Sequence, residues 1–241
     1  MYNETARVFL KLYLGGLDIS ITAPVLLNFL AVLVLSIFLL LAVRRLDWRP
    51  VRLLQNLLEY TVEFIENQIV VPTELDKKTW TPLFLSVFLF ILASGWLGAV
   101  PGLSAVTGNI NVTAALAALV FLIALFVRLR QNGPLHFFRS LLPEGVKGPM
   151  LLILLPIEII SQLFKPFSLA IRLFANMSGG HLLLISILGF TAIFNNILVG
   201  FFASGGAVLI ILFELCVCVI QAYVFTFLSA LSIGESSGEG H

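Results

Sequence analysis

The stretch Gln162-Leu-Phe-Lys-Pro-Phe-Ser-Leu-Ala-Ile-Arg-Leu-Phe-Ala-Asn-Met-Ser-Gly-Gly-His181 lies inside an apolar run from Pro149 to Phe194. A helix crosses the hydrocarbon core of a bilayer in about 20 residues, and this run is more than twice that long. It must therefore tilt, break or fold back on itself, with Pro156 and Pro166 as candidate kinks. In its middle stands Arg172. A guanidinium stays protonated at physiological pH, and at membrane depth it costs at least ~2.5–3.5 kcal/mol on insertion scales. Such a residue calls for a partner charge or a water-filled cavity.

Outward from this stretch the composition sets the class. Hydrophobic residues make up 59% of the 241 and charged residues 11%, with a mean hydropathy of +1.06. Soluble domains carry about 25% charged residues. Long Phe- and Leu-rich runs without strand-like alternation indicate an all-α polytopic membrane protein rather than a barrel. The net charge of +1 selects no partner class. Cys216 and Cys218 do not face each other on a helix, so they read as buried thiols rather than a disulfide or metal site. The start Met-Tyr-Asn-Glu-Thr-Ala-Arg7 lacks the basic and apolar regions of a cleavable signal peptide.

The chain reads as one membrane domain over 1–241, with about five membrane helices and one interfacial helix. A first span covers 21–43 and ends on Arg44-Arg45. Residues 49–71 form an amphipathic helix, with Leu53, Leu54, Leu57, Leu58, Val62 and Ile65 against Glu59, Glu63 and Glu66, expected to lie along the membrane surface. Spans follow at 82–100 and 110–130, then a loop over 131–148 with one short interfacial piece. Residues 149–194 and 197–233 are the two long, strongly tilted helices, and 234–241 is a loose tail. Ten Lys and Arg fall in 44–78 and 128–147 against only Arg7 and Lys11 on the other side. That bias puts the N-terminus outside and the C-terminus inside. No internal repeat is visible, which counts against inverted-repeat transporters.

Helical spacing places the other polar residues. Ser168 and Asn176 are one turn either side of Arg172, and Glu158 falls on nearly the same face; His181 points to the opposite one. Glu214 and Gln221, seven apart, share a face of the last helix. With the orientation above, Glu158 lies toward the inside and His181 and Glu214 meet in the outer half. Titratable groups thus stand on both sides of a permanent cation, as in two ion pathways separated by a positive barrier.

The run Phe164–Leu182 resembles the signature of subunit a of F-type ATP synthases. Phe213-Glu-Leu-Cys-Val-Cys-Val-Ile-Gln-Ala-Tyr-Val-Phe-Thr226 is similar to that subunit's final helix, and Asn109-Ile-Asn-Val-Thr113 with Leu142-Pro-Glu-Gly145 fits the preceding span and loop. The resemblance covers the chain from about Leu27 onward. It implies that Arg172 is the stator arginine facing a ring of c subunits, flanked by Asn176 and Gln221. It assigns His181 and Glu214 to the outer half-channel and Glu158 to the inner one. The His181/Glu214 pairing is similar to that of alphaproteobacterial and mitochondrial members, and the tail Ile233–His241 to that of cyanobacterial and plastid ones.

The resemblance further implies an ion-translocating, non-catalytic subunit that couples proton flow to rotation. Its expected partners are the c ring, b-type subunits of the peripheral stalk, other ATP synthase subunits, the lipid bilayer, and H⁺ or Na⁺, with no nucleic acid. The chain has no P-loop, and neither cofactor nor metal is expected. The expected location is an energy-coupling membrane: a bacterial inner membrane, or alternatively a mitochondrial inner or thylakoid membrane. The competing reading is a self-contained secondary transporter or ion channel, with Arg172 binding an anionic substrate.

Overall fold

The computed structural model describes residues 8–10, 13–14, 17–18, 21–43, 53–100, 106–140, 150–194 and 196–237. Six α-helices dominate the described residues. Ahead of them is a small ribbon absent from the sequence reading: β1 (Val8–Leu10) pairs antiparallel with β4 (Ile21–Thr22), and β2 (Tyr13–Leu14) with β3 (Leu17–Asp18). Because Ile21 and Thr22 are engaged there, α1 begins at Ala23 and runs to Val43. Its Phe29, Leu33 and Leu40 point outward, and the Ser36 hydroxyl on that face donates back to the Val32 carbonyl at 2.7 Å, the pattern of a lipid-facing helix.

Helix α2 (Leu53–Ile65) continues into a π turn, Glu66–Val70, and a 3₁₀ turn, Val71–Thr73. Its leucines do not share one environment. Ile65 and Gln55 are buried while Leu53 is 75% exposed, because Leu53 lies about 120° around the axis from Ile65. The chain then reverses at Glu74, in the left-handed region at φ 55°.

Short polar residues set the helix starts. Asp76 caps α3 (Lys77–Gly98): its Oδ2 accepts from the Thr79 backbone N–H at 3.1 Å and from the Thr79 hydroxyl at 2.6 Å. That cap starts the helix five residues before Pro82, where hydropathy alone began the span, and Pro82 sits inside it. Asn109 caps α4 (Ile110–Ser140), accepting from Asn111 N–H at 3.0 Å. Asn196 caps α6 (Ile197–Ser237), accepting from Leu198 N–H at 3.0 Å. These are the side chains that satisfy orphan N–H groups at helix starts.

Two expectations are corrected at helix ends. Residues 131–140, read as loop, continue α4 through Gly133 and Pro134; a proline removes one helical hydrogen bond and bends the axis without ending it when neighbouring turns hold. Residues 234–237, read as loose tail, belong to α6. Gly234 passes so close to the 3₁₀ turn that a Cβ there would lie 2.8 Å from the Thr73 carbonyl oxygen.

Helix α5 is unbroken from Met150 to Phe194 despite Pro156 and Pro166. Among the described residues, four segments are long and apolar enough to cross a membrane: 77–98, 110–127, 160–191 and 197–234. The chain is thus an all-α, multi-pass membrane protein. The 32 residues of 160–191 extend about 48 Å at 1.5 Å per residue, so crossing a core about 30 Å thick needs a tilt of about 50° if straight. Helices α5 and α6 form an antiparallel hairpin; α4 packs on both, α3 packs on α6, and α1 packs on α3. The core joins Ile65 and Ile69 to Phe84, Phe88 and Ile91 of α3, Leu169 and Leu173 of α5, and Phe225 and Ile233 of α6. Phe64 bridges α3 and α6 through ring contacts with Phe88 at 6.2 Å and Tyr223 at 5.6 Å.

Candidate ion-translocation site

The helical period divides α5 into two faces. Leu169, Ala170, Leu173 and Met177 are buried, whereas Ser168, Arg172, Ala175 and Asn176 are exposed. The guanidinium therefore stands on the outside of the described bundle. No carboxylate among the described residues pairs with it.

His181, nine residues on, is half-buried on the other side, and its Nε2 lies 2.8 Å from the Gly98 carbonyl oxygen at the end of α3. One turn earlier in α5, the Ser178 hydroxyl reaches the Gly108 carbonyl at 3.5 Å. Helix α5 is thus tied to both ends of the α3–α4 connection.

Glu214 comes from α6, is 6% exposed, and its Oε1 has no hydrogen-bond partner among the described residues. It packs against Gly180, where a Cβ would fall 2.8 Å from Oε1. The carboxylate is within electrostatic reach of His181. An unpartnered buried carboxylate oxygen is expensive unless water or a proton completes it.

There is room for water. Glu214 opens onto a cavity of about 20 Å³ lined by Ile91, Gly95, Thr107, Leu173, Asn176, Met177, Val217, Cys218 and Gln221, enough for about one water molecule. Asn176, Glu214 and Gln221 are thus brought together around one small, largely apolar space, with His181 beside Glu214 and Arg172 one turn from Asn176. Ser168 stays on the exposed face, away from this cavity. The side chain of Glu158 lies outside the described residues.

The cysteines separate. Cys218 is buried against Gly95, where a Cβ would lie 2.7 Å from its Sγ, but Cys216 is exposed. The expectation of two buried thiols fails for Cys216, because two residues turn the helix by about 200°.

Sequence reasoning missed Gly95, Gly98, Thr107 and Gly180. Their only signal is the Gly179-Gly180 pair beside His181 and the small residues Ser94, Gly95 and Gly98 one turn apart, and neither names the carboxylate they admit.

The family described as ATP synthase A chain matches residues 25–234. The chain belongs to the ATP synthase A-chain family. It is 38% identical to ATP synthase subunit a of Gluconacetobacter diazotrophicus over 231 residues, covering 92% of this chain and 92% of that protein. ATP synthase subunit a of Chloroherpeton thalassium is 35% identical over 229 residues, 93% of this chain and 68% of that protein. ATP synthase subunit a 2 of Chlorobaculum tepidum is 36% identical over 241 residues, 95% of this chain and 68% of that protein. As a member of the ATP synthase A-chain family, the protein is a membrane-sector subunit tied to ATP synthesis and proton transport.

Proposed function

We propose that this chain is the ion-translocating stator of an ATP synthase membrane sector, presenting Arg172 to carboxylates carried by a rotating ring of c subunits. The observation that carries the proposal is the exposed Arg172, without a carboxylate partner among the described residues, one turn from a cavity lined by Glu214. A permanent cation on a membrane-facing surface needs a counter-charge from outside the chain. Its flanks suit a close helical neighbour: Ser168 and Ala175 are small, and Gly179 has open space where a Cβ would go. Small residues let helices approach closely in a bilayer.

In this mechanism His181 and Glu214 carry protons in the route open to the outer side, and Glu158 serves the inner side. Asn176, Gln221 and Ser168 flank the arginine. A ring carboxylate facing Arg172 is held charged by the guanidinium. A proton from Glu214 neutralises the next one, which then enters lipid, and rotation brings it round to the inner route. Arg172 repels protons that would otherwise cross directly between the two routes. The drive is about 2.3 kcal/mol per charge per 100 mV. The chain is non-catalytic by itself, and b-type stalk subunits hold it against the ring. The N-terminus is placed outside and the C-terminus inside an energy-coupling membrane.

The test is proton-driven ATP synthesis by the assembled complex in liposomes carrying Arg172→Lys or Arg172→Ala. Lysine keeps the charge but loses the planar, forked donor set. Both variants are expected to assemble and to lose coupled synthesis. Normal synthesis with Arg172→Ala would overturn the reading, as would proton conduction by the purified chain alone, the outcome for a self-contained channel.

A further inference from the structure

We infer that the C-terminal end of α3 locks His181 into the tautomer with its hydrogen on Nε2, so that Nδ1 is the nitrogen that accepts and hands on the transported proton. This deepens the role proposed above for His181 and rests on it. Gly98 is the last residue of α3, and the last four carbonyls of a helix have no partner within it. In the turn that follows, Ala99 N–H bonds to Gly95 and Val100 N–H to Leu97, so that among the described residues the imidazole is the partner of the Gly98 carbonyl. A carbonyl oxygen only accepts, so a 2.8 Å contact with Nε2 is a hydrogen bond only when Nε2 carries the hydrogen. In the neutral ring the lone pair then sits on Nδ1.

The geometry has a mechanistic use. The Nε2–H to Gly98 bond exists in both the neutral and the protonated ring, so the imidazole keeps its place while its charge changes. A proton arriving at Nδ1 makes the imidazolium. On transfer through a bridging water, the Nδ1–H bond breaks and its electron pair returns to Nδ1. An O–H bond forms on the Glu214 carboxylate, which becomes a neutral carboxyl. The ring is again the Nε2–H tautomer, and no other reactant is consumed. Glu214 is suited to receive the proton: its carboxylate packs against Gly180, the residue before His181, and its Oε1 has no hydrogen-bond partner among the described residues.

The test compares two amides and one spectrum, all on the assembled complex. Glutamine places its side-chain nitrogen near the position of Nε2 and can still donate to Gly98, whereas asparagine is too short; neither relays a proton. His181→Gln is expected to keep the complex's thermal stability and to lose proton-driven turnover at least ten-fold. His181→Asn should lose both. Equal stability of the two variants would overturn the locking contact. Solid-state ¹⁵N spectra of histidine-labelled complex, taken as the difference from the His181→Gln complex, isolate the His181 ring. The neutral signal is expected to be Nε2-protonated, and an Nδ1-protonated signal would overturn the inference while leaving the wider function standing. Undiminished turnover in His181→Gln would instead remove His181 from the proton route altogether.

Discussion

Replacing Gly180 with alanine separates the proton route from the fold. A Cβ at Gly180 would lie 2.8 Å from Oε1, 2.9 Å from Cδ and 3.4 Å from Oε2 of Glu214. The nearest approach is about 0.6 Å inside ordinary contact between heavy atoms. The carboxylate must therefore retreat by at least that much, and the adjoining cavity lets it do so. Overpacking of this kind costs about 1–3 kcal/mol, with a flexible acidic side chain at the low end. Alanine returns about 1 kcal/mol of helix propensity over glycine. The two nearly cancel, so assembly and thermal stability should change little.

Transfer geometry has no such compensation. Misplacing a reacting group by 1 Å can cost about 10²-fold, so proton-driven ATP synthesis should fall by roughly ten- to a hundred-fold. Another glycine of α5 supplies the control: Gly189 has nothing within 4 Å of its would-be Cβ, and Gly189→Ala should leave stability unchanged or slightly raised. The assay is ATP synthesis at fixed proton-motive force, paired with thermal melting of the complex. Wild-type turnover in Gly180→Ala at unchanged stability would refute the claim that the Gly180–Glu214 approach positions the proton carrier.

Three more outcomes are expected. Gly234→Ala meets backbone, the Thr73 carbonyl at 2.8 Å, and should destabilise by about 1–3 kcal/mol, whereas Gly205→Ala, with open space around it, should not; thermal melting in detergent distinguishes them. Gly95→Ala should lower the melting temperature through its 2.7 Å approach to Cys218 Sγ, and the double variant with Cys218→Ala should recover part of it, since the 3.1 Å approach to Cys218 Cβ remains; the double-mutant cycle reads this coupling. The hydrogen bonds from the Thr79 hydroxyl and backbone N–H hold the Asp76 carboxyl below its usual value of 3.8. Its contribution is therefore full above that value and is lost as pH falls through the lower folded-state value. Asp76→Asn should abolish that part of the acid dependence, as read by melting temperature against pH.

The arginine and the long hairpin were legible because both depend on residue counts and hydropathy along one helix. Ser168, Arg172 and Asn176 fall on one face, and Glu214 and Gln221 on another, by period alone. The caps were less legible: Asp76 moved the start of α3 ahead of Pro82 through a hydrogen bond that hydropathy does not weigh. Residues 131–140 read as loop, yet α4 runs through Pro134, because a proline's penalty is local while the helix is held over many turns. The clearance of Gly180 for Glu214 and the Gly98 carbonyl beside His181 were not legible at all. Each depends on the register between helices far apart in the chain, which no single-helix period contains.

The close passage of Gly234 against Thr73 makes α6 a ruler. Twenty residues separate Glu214 from that fixed point, and an α-helix turns 100° and advances 1.5 Å with each one. One residue inserted between them would swing the carboxylate about 100° out of its cavity, whereas seven would restore its heading but carry it about 10 Å along the axis. This segment can therefore tolerate changes of side chain far better than changes of length, and related chains with the same anchor are expected to keep the twenty-residue interval even where their residues differ.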